Sequence, residues 1–395
     1  MKSDLVNLRR VYGAVLLLGI VSLLGDVVYE GSRGIIPDYL AFLGASAFVI
    51  LVVGRFGEFL GYVLRLVSGA LADATKAYWV FIFLGYGFIV VIPFLGFTEM
   101  WLTAVTLVLL ERVGKAIRAP ARDAVLSTVS SGVGAGKAFG IHEFLDQVGA
   151  ILGPLIVAAL MFYNGNSYSQ TFSTLFIPFL TLLAFLFFTY RLVGRTKPVG
   201  TEKAEVKSRK LGKAFYIYTA AVLLNTVGLI PYELILYKAS EILQPANQQW
   251  IVPLIYMLMQ GVDAPTALLA GYSYDRFRIK VLTVPFILSI APTLLALLNA
   301  DLTTLVVAAV FFGIVLGMQE SIYRAAVSDF AHANLKGTAY GIFNTAYGVG
   351  MVASGLAYGL IAALNLPYMA AAFYVFVTQA AALALLFKAS LNTAF

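Results

Sequence analysis

Twelve apolar stretches, each long enough to cross a lipid bilayer, recur along this chain and leave few folds open to it. A spanning helix needs roughly 20 predominantly apolar residues. Such stretches fall at 11–40, 45–71, 78–97, 101–117, 138–163 and 172–190. After a polar interruption six more follow, at 214–237, 250–272, 281–298, 302–323, 338–364 and 366–387. Only helices or closed barrels satisfy the backbone in lipid, and these runs lack the alternation of barrel strands. The expected fold is an all-α polytopic membrane protein of twelve transmembrane helices, spans 1 to 12 in chain order. Composition agrees: 61% of the 395 residues are hydrophobic and 12% charged, too apolar for a water-soluble core. The basic start (Lys2, Arg9, Arg10) leads into a stretch too long for a signal-peptide core, without a small-residue cleavage site, so it reads as a retained span.

Charge placement orients the chain. With the N-terminus cytoplasmic, all but five of the 27 Lys and Arg fall in inner loops, span ends or tails. Arg33, Arg55, Arg65 and Arg112 lie within spans, and Lys238 in an outer loop. The positive-inside rule then places both termini in the cytoplasm of a cell whose cytoplasmic membrane holds the protein. Segment 191–213, with eight basic and two acidic residues, is a linker suited to an anionic leaflet. It separates an N-terminal six-helix bundle (1–190) from a C-terminal one (214–395). The net charge of +7 is thus assigned to the membrane surface and not to nucleic acid. Cysteine is absent and only His142 and His332 are present, so no disulfide, metal centre or cofactor is expected.

The two bundles carry related sequence. Gly69 and Asp73 of "GALAD" recur as Gly271 and Asp275 of "GYSYD", 202 positions on. "GKAFGI" at 136–141 recurs as "GTAYGI" at 337–342, and Gly149 maps onto Gly350, both 201 positions on. Three matches in register argue for duplication into two pseudo-symmetric six-helix bundles.

These residues resemble the major facilitator superfamily, and the resemblance covers essentially the whole chain. "GALADATKAYW" after span 2 is similar to that family's signature between spans 2 and 3, with Ala74 where an Arg usually follows the Asp. "GYSYDRFRIK", with Asp275, Arg276, Arg278 and Lys280, is the better copy. Gly140, Gly149 and Gly153-Pro154 in span 5 resemble the family's antiporter signature, with Val157-Ala158 in place of the closing glycine pair. Arg112, in "ERVGKAIRAPARDA", stands where the family has a buried span 4 arginine credited with proton transfer. With "YEGSRGIIPDYL" in span 1, the pattern looks like a large prokaryotic permease branch. The resemblance implies a proton-coupled transporter working by alternating access.

Ionisable residues inside spans cost about 2.5–3.5 kcal/mol each on insertion scales and so mark functional candidates. In span 1, Asp26, Glu30, Arg33 and Pro37 stand on one helical face. Mutual repulsion of the two acids favours a proton on one of them. Arg33 or Arg112 then serves as the counter-ion, unless Glu30 and Arg33 form only a neutral helix-end pair. Arg55 and Glu58 are spaced for an inward-facing pair in span 2. Glu111, Lys115, Arg118 and Arg122 form a stripe on span 4, whose later basic residues are expected at a solvated or headgroup-facing end. Asp146, followed on its face by Gly149 and Gly153, is expected to neutralise a basic residue and act in a gate, and His142 to lie at the surface. In the second bundle Glu233 follows Pro231, Asp263 precedes Pro265, and Glu320 stands four residues before Arg324. Prolines beside acids loosen helices where a cavity is lined. Asp263 is the preferred second-bundle site residue, with Asn225 and Gln260 as hydrogen-bonding partners.

The expected function is a proton-driven antiporter, a monomer, exporting a small organic or amphipathic solute by alternating access. The alternatives are a proton-coupled uptake symporter, a lysolipid mover, or coupling to another cation. The chain has no HExxH, phosphate-cradling Gly-Lys loop or serine nucleophile elbow, and its loops leave no room for a catalytic domain, so an enzyme is not expected.

Overall fold

The computed structural model describes residues 2–130, 135–194, 211–298, 301–330 and 335–391. Most of the expected linker, residues 195–210, lies outside them. The described chain is helical throughout, without a strand. Ten of its stretches are long and apolar enough to cross a membrane. One of the ten, Gln249–Leu297, contains both span 8 and span 9. Span 4 is the 29-residue helix Trp101–Val129, kept out of that set by its charges. Twelve spans are thereby accounted for.

Packing inverts the soluble pattern. Large apolar side chains such as Ile177, Leu268 and Phe373 are exposed, while Asp26, Glu30, Glu111 and Arg112 are buried. Two spans are broken. Span 1 runs as Lys2–Arg33, stops at Gly34-Ile35, and resumes as Ile36–Phe42. Span 7 runs as Lys213–Gly228, then Tyr232–Leu243, interrupted just before Pro231 supplies the extended N-cap of the second piece. Discontinuous helices free backbone groups and are characteristic of transporter sites.

The repeat reappears in the backbone. Non-helical turns with positive φ occur at Gly44, Lys76 and Asn166, and again at Asn247, Arg278 and Asn365. Each partner lies about two hundred residues on, although Lys and Arg have no intrinsic taste for that conformation. Helix contacts repeat too. A Cβ on Gly149 would lie 2.6 Å from the Leu23 carbonyl oxygen and 2.8 Å from the Asp26 Cβ. One on Gly350 would lie 2.9 Å from the Leu223 carbonyl and 3.0 Å from the Thr226 Cβ. Spans 1 and 5, and spans 7 and 11, therefore touch backbone to backbone at matching heights. Likewise Gly69 packs against Pro120 of span 4, and Gly271 against Ser321 of span 10.

The chain folds into two compact units that exchange short segments. The first comprises Met1–Tyr39, Leu60–Glu202 and Gln248–Met257; the second comprises Leu40–Phe59, Lys203–Asn247 and Leu258–Phe395. Within the first unit the Gln248–Met257 segment is held by Trp250, whose backbone N–H donates to Asn166 Oδ1 (2.9 Å) and whose ring meets Phe162 edge-on. Gly34 lets Pro253 approach, since a Cβ there would lie 2.8 Å from the Pro253 Cα. Within the second unit the start of span 2 packs against span 11 through Phe48 on Gly359, Arg55 on Gly355 and Phe59 on Gly348.

Candidate functional site

In the first unit, the predicted face of span 1 is buried and its acids are gathered with the span 4 stripe. Glu30 Oε1 lies 3.1 Å from Arg33 Nη1 and 3.5 Å from Lys115 Nζ. The Tyr256 hydroxyl donates to Glu30 Oε2 at 2.6 Å. The Glu30–Arg33 helix-end pair therefore exists, but as part of a larger set. Glu111 sits between two arginines, 3.4 Å from Arg112 and 3.7 Å from Arg118. Tyr29 is ringed by cations: Lys115 lies 4.4 Å, Arg118 5.0 Å and Arg33 5.6 Å from its ring centroid. Arg118 also stacks on Tyr86 and donates to the Gly85 carbonyl.

About two helical turns nearer the N-terminus of span 1 a second group forms, at Ser22. Arg122 donates to Ser22 Oγ at 2.7 Å and pairs with Asp123 (3.0 Å) and Asp146 (3.5 Å). His142 Nδ1 also lies 3.5 Å from Asp146. Asp26 stands between the groups, within the electrostatic reach of Glu30 and Asp146 as like charges and of Lys115 and Arg118 as opposite ones. Its backbone is clasped by span 5: a Cβ on Gly153 would lie 3.0 Å from the Asp26 carbonyl oxygen and 2.8 Å from the Gly31 nitrogen. Pro154 follows inside the same helix.

Two expectations are corrected by this packing. The later basic residues of span 4 are not a solvated end: Arg118 is 3% exposed and enclosed by two tyrosines, and Arg122 is tied to spans 1 and 5. His142 is not a surface residue but is buried against Asp146. In both cases neighbouring helices supply partners that one-dimensional spacing does not display.

The second unit is built differently. Arg55 Nη2 reaches Glu233 Oε2 at 2.9 Å and its guanidinium lies over the Tyr232 ring at 5.1 Å, so its partner comes from broken span 7, while Glu58 one turn on is half-buried. Gly54 makes room for the Glu233 carboxylate. Glu233 occupies the first turn of Tyr232–Leu243, where helix-end N–H groups favour an acid. Asn225 is fully buried, its amide occupied on all sides. It donates to Ser289 Oγ and Gln379 Oε1 and accepts from Gln319 Nε2 and Tyr323 OH. Gln260 and Asp263 are buried on span 8, Asp263 lying against Gly317 of span 10. Glu320 is exposed, within a π-helical turn at Gln319–Tyr323.

At the signature loops, Asp73 accepts from Tyr78 at 2.7 Å. In the second copy Asp275 and Arg276 are exposed, and the contacts run instead from Tyr274 (2.9 Å) and Arg278 (3.3 Å) to Asp329. Tyr29, Lys115, Tyr256 and Asp329 were not among the predicted site residues. Lys115 was legible on the Glu111 stripe; Tyr256 and Asp329 carry no local signal that would single them out. Among the described residues no His, Asp and Glu group is arranged to hold a metal ion.

Comparison with known proteins adds a family match, two relatives and two solved structures. The family model described as Major Facilitator Superfamily matches residues 15–355 and 216–391. An uncharacterized protein of Mycobacterium tuberculosis is 38% identical over 358 residues, covering 87% of this chain and 85% of that one. An uncharacterized MFS-type transporter of Methanocaldococcus jannaschii is 28% identical over 361 residues, 90% of each. Among solved structures, a mutant of the nucleoside transporter NupG superposes with a TM-score of 0.76 at 14% identity, covering 96% of this chain and 99% of that one. A mutant of the peptide transporter POT gives 0.71 at 14% identity, covering 95% and 93%.

Proposed function

This chain belongs to the Major Facilitator Superfamily, and from that membership and its buried span 1 acids we propose a proton-coupled transporter of a small polar organic solute. The observation that carries the reading is the burial of Asp26 and Glu30 one turn apart, beside span 4 cations, on a broken helix. Carboxylates held in such a place are stable only with a proton or a cation, and both partners are at hand. The two similar solved structures are a nucleoside and a peptide transporter, and their solutes are polar and organic, as the reading requires.

Exchange of solute for protons is the direction supported by the span 5 glycines, which press span 5 against Asp26. The Arg55–Glu233 pair, the Asp146–Arg122 pair and the Tyr274–Arg278–Asp329 group serve as latches that alternating access opens in turn. The protein works as a monomer in the cytoplasmic membrane with both ends inside, the placement that the basic loops favour.

A vesicle assay tests this. With the purified chain reconstituted and a pH dye trapped inside, addition of a transported solute moves protons, and a protonophore removes the solute gradient. Solute flux that proceeds at the same rate with the pH gradient collapsed would refute proton coupling.

A further inference from the structure

One buried base, His142, sits beside the Asp146–Arg122 latch. It lies near the start of Ala135–Tyr163, its side chain 3% exposed, one turn before Asp146. Its Nδ1 is 3.5 Å from Asp146 Oδ2, and Arg122 Nη1 is 3.5 Å from that same oxygen. Two basic groups therefore address one carboxylate oxygen, and only the arginine is always charged. Both distances exceed the usual hydrogen-bond range of about 2.7–3.2 Å. Among the described residues, Asp146 Oδ1 and His142 Nε2 are buried without a hydrogen-bond partner. A histidine kept for packing alone has its ring nitrogens tied to fixed partners, and this ring is not so tied.

Arg122 is the partner that can leave. It donates to Ser22 Oγ at 2.7 Å, and its Nη2 and Nε lie 3.0 and 3.1 Å from Asp123 Oδ1, closer than it comes to Asp146. The Asp123 side chain is 47% exposed and keeps Arg122 neutralised after it withdraws. Asp146 has no such reserve. A partly buried carboxylate that loses its cation must gain a proton or another cation, and His142 on the same helix is placed to supply one. We propose that His142 is a second proton-binding site of the transport cycle, neutral while Arg122 holds Asp146 and protonated, as an imidazolium paired with Asp146, once Arg122 withdraws.

This inference rests on the proton-coupled reading above and adds a site to it. Uptake adds one proton from cytoplasmic water to the imidazole, and the returning Arg122 expels the same proton by like-charge repulsion. The ring thus loads and unloads once each time the latch opens and closes. Among the described residues, the charged groups facing His142 are Arg122 and Asp123 of span 4, with Asp146 and Glu143 of its own helix. Tyr86 of span 3 and Asp26 of span 1 act on it through Asp146. Arg122 is the one cation in this set, and it is the group that moves.

The chain has only two histidines, His142 and His332, so the site can be read directly. Full-length protein carrying His332→Asn, labelled with nitrogen-15 histidine and held in nanodiscs, reports His142 alone. Its ring signals are followed by NMR from about pH 5 to pH 9. Arg122→Gln should raise the pH at which the ring takes its proton by about one to three pH units, and adding Asp146→Asn should cancel that rise. A ring that stays neutral in Arg122→Gln across the range, or a rise that survives Asp146→Asn, would overturn the proposal. His142→Gln, whose side chain is polar but never charged, covers the case in which Arg122→Gln does not fold. In vesicles its solute flux should lose the dependence on cytoplasmic-side pH that wild type keeps; an unchanged profile would also overturn the proposal. A ring that titrates as described, without proton-coupled flux, would leave the site standing and refute the transport reading. Proton-coupled flux beside a ring that never titrates would do the reverse.

Discussion

Arg55 and Glu233 show how much a single pair of side chains can decide. Both are nearly inaccessible, 2.9 Å apart, and sealed by Tyr232, Gly54 and Gly355. Removing one partner of such a pair strands a buried charge, whereas replacing both by apolar groups restores balance. Arg55→Ala should therefore destabilise the fold by roughly 3–5 kcal/mol, and the double change Arg55→Met with Glu233→Leu should recover most of that loss. Thermal melts of wild type and the two variants in one detergent check it; equal losses in the single and double variants would contradict the assignment. The sequence marks both residues as costly in lipid, but it suggests Glu58 as Arg55's neighbour because spacing along one helix is all it displays. The same limit applies to Asn225. Its amide is read from sequence as a hydrogen-bonding group near solute, yet it is consumed by Ser289, Gln319, Tyr323 and Gln379 from three other spans.

At the scale of helices, the glycines of span 5 set how closely it meets span 1. Gly149 and Gly153 place span 5 against the Leu23, Asp26 and Val27 carbonyl oxygens, with less than 3.1 Å left for any Cβ. Those obstacles are backbone, so they cannot swing aside. Gly153→Val should separate the helices and abolish folded protein, while Gly140→Ala, with nothing within 4 Å, should leave expression and melting temperature unchanged. Gel-filtration profiles of the two variants decide; a normal profile for Gly153→Val would contradict the contact. The span positions, the second-half break beside Pro231 and the paired glycine motifs were legible because each rests on residue type. The positive-φ turns at Lys76 and Arg278 were not, because nothing in a lysine or arginine announces a left-handed residue. Burial of Arg118 is not legible for a related reason: a basic residue seven positions beyond Glu111 has the spacing of a helix end, and its enclosure by Tyr29 and Tyr86 comes from other helices.

For the whole molecule, duplication supplies a symmetric frame and the chemistry breaks the symmetry. Asp26 touches Gly149 in one half where Thr226 touches Gly350 in the other. The first unit carries the span 1 and span 4 charges, and the second carries a neutral amide network in the matching place. Under the proposed coupling, a proton taken up at Asp26 acts on the charged half. The decisive protein is Asp26→Asn in proteoliposomes, compared with wild type for solute exchange at equal pH and for accumulation driven by a pH gradient. The account predicts that exchange persists while gradient-driven accumulation falls at least about a hundredfold, the lower end of the range for loss of a proton-transfer group. Accumulation at the wild-type level in that variant would contradict it.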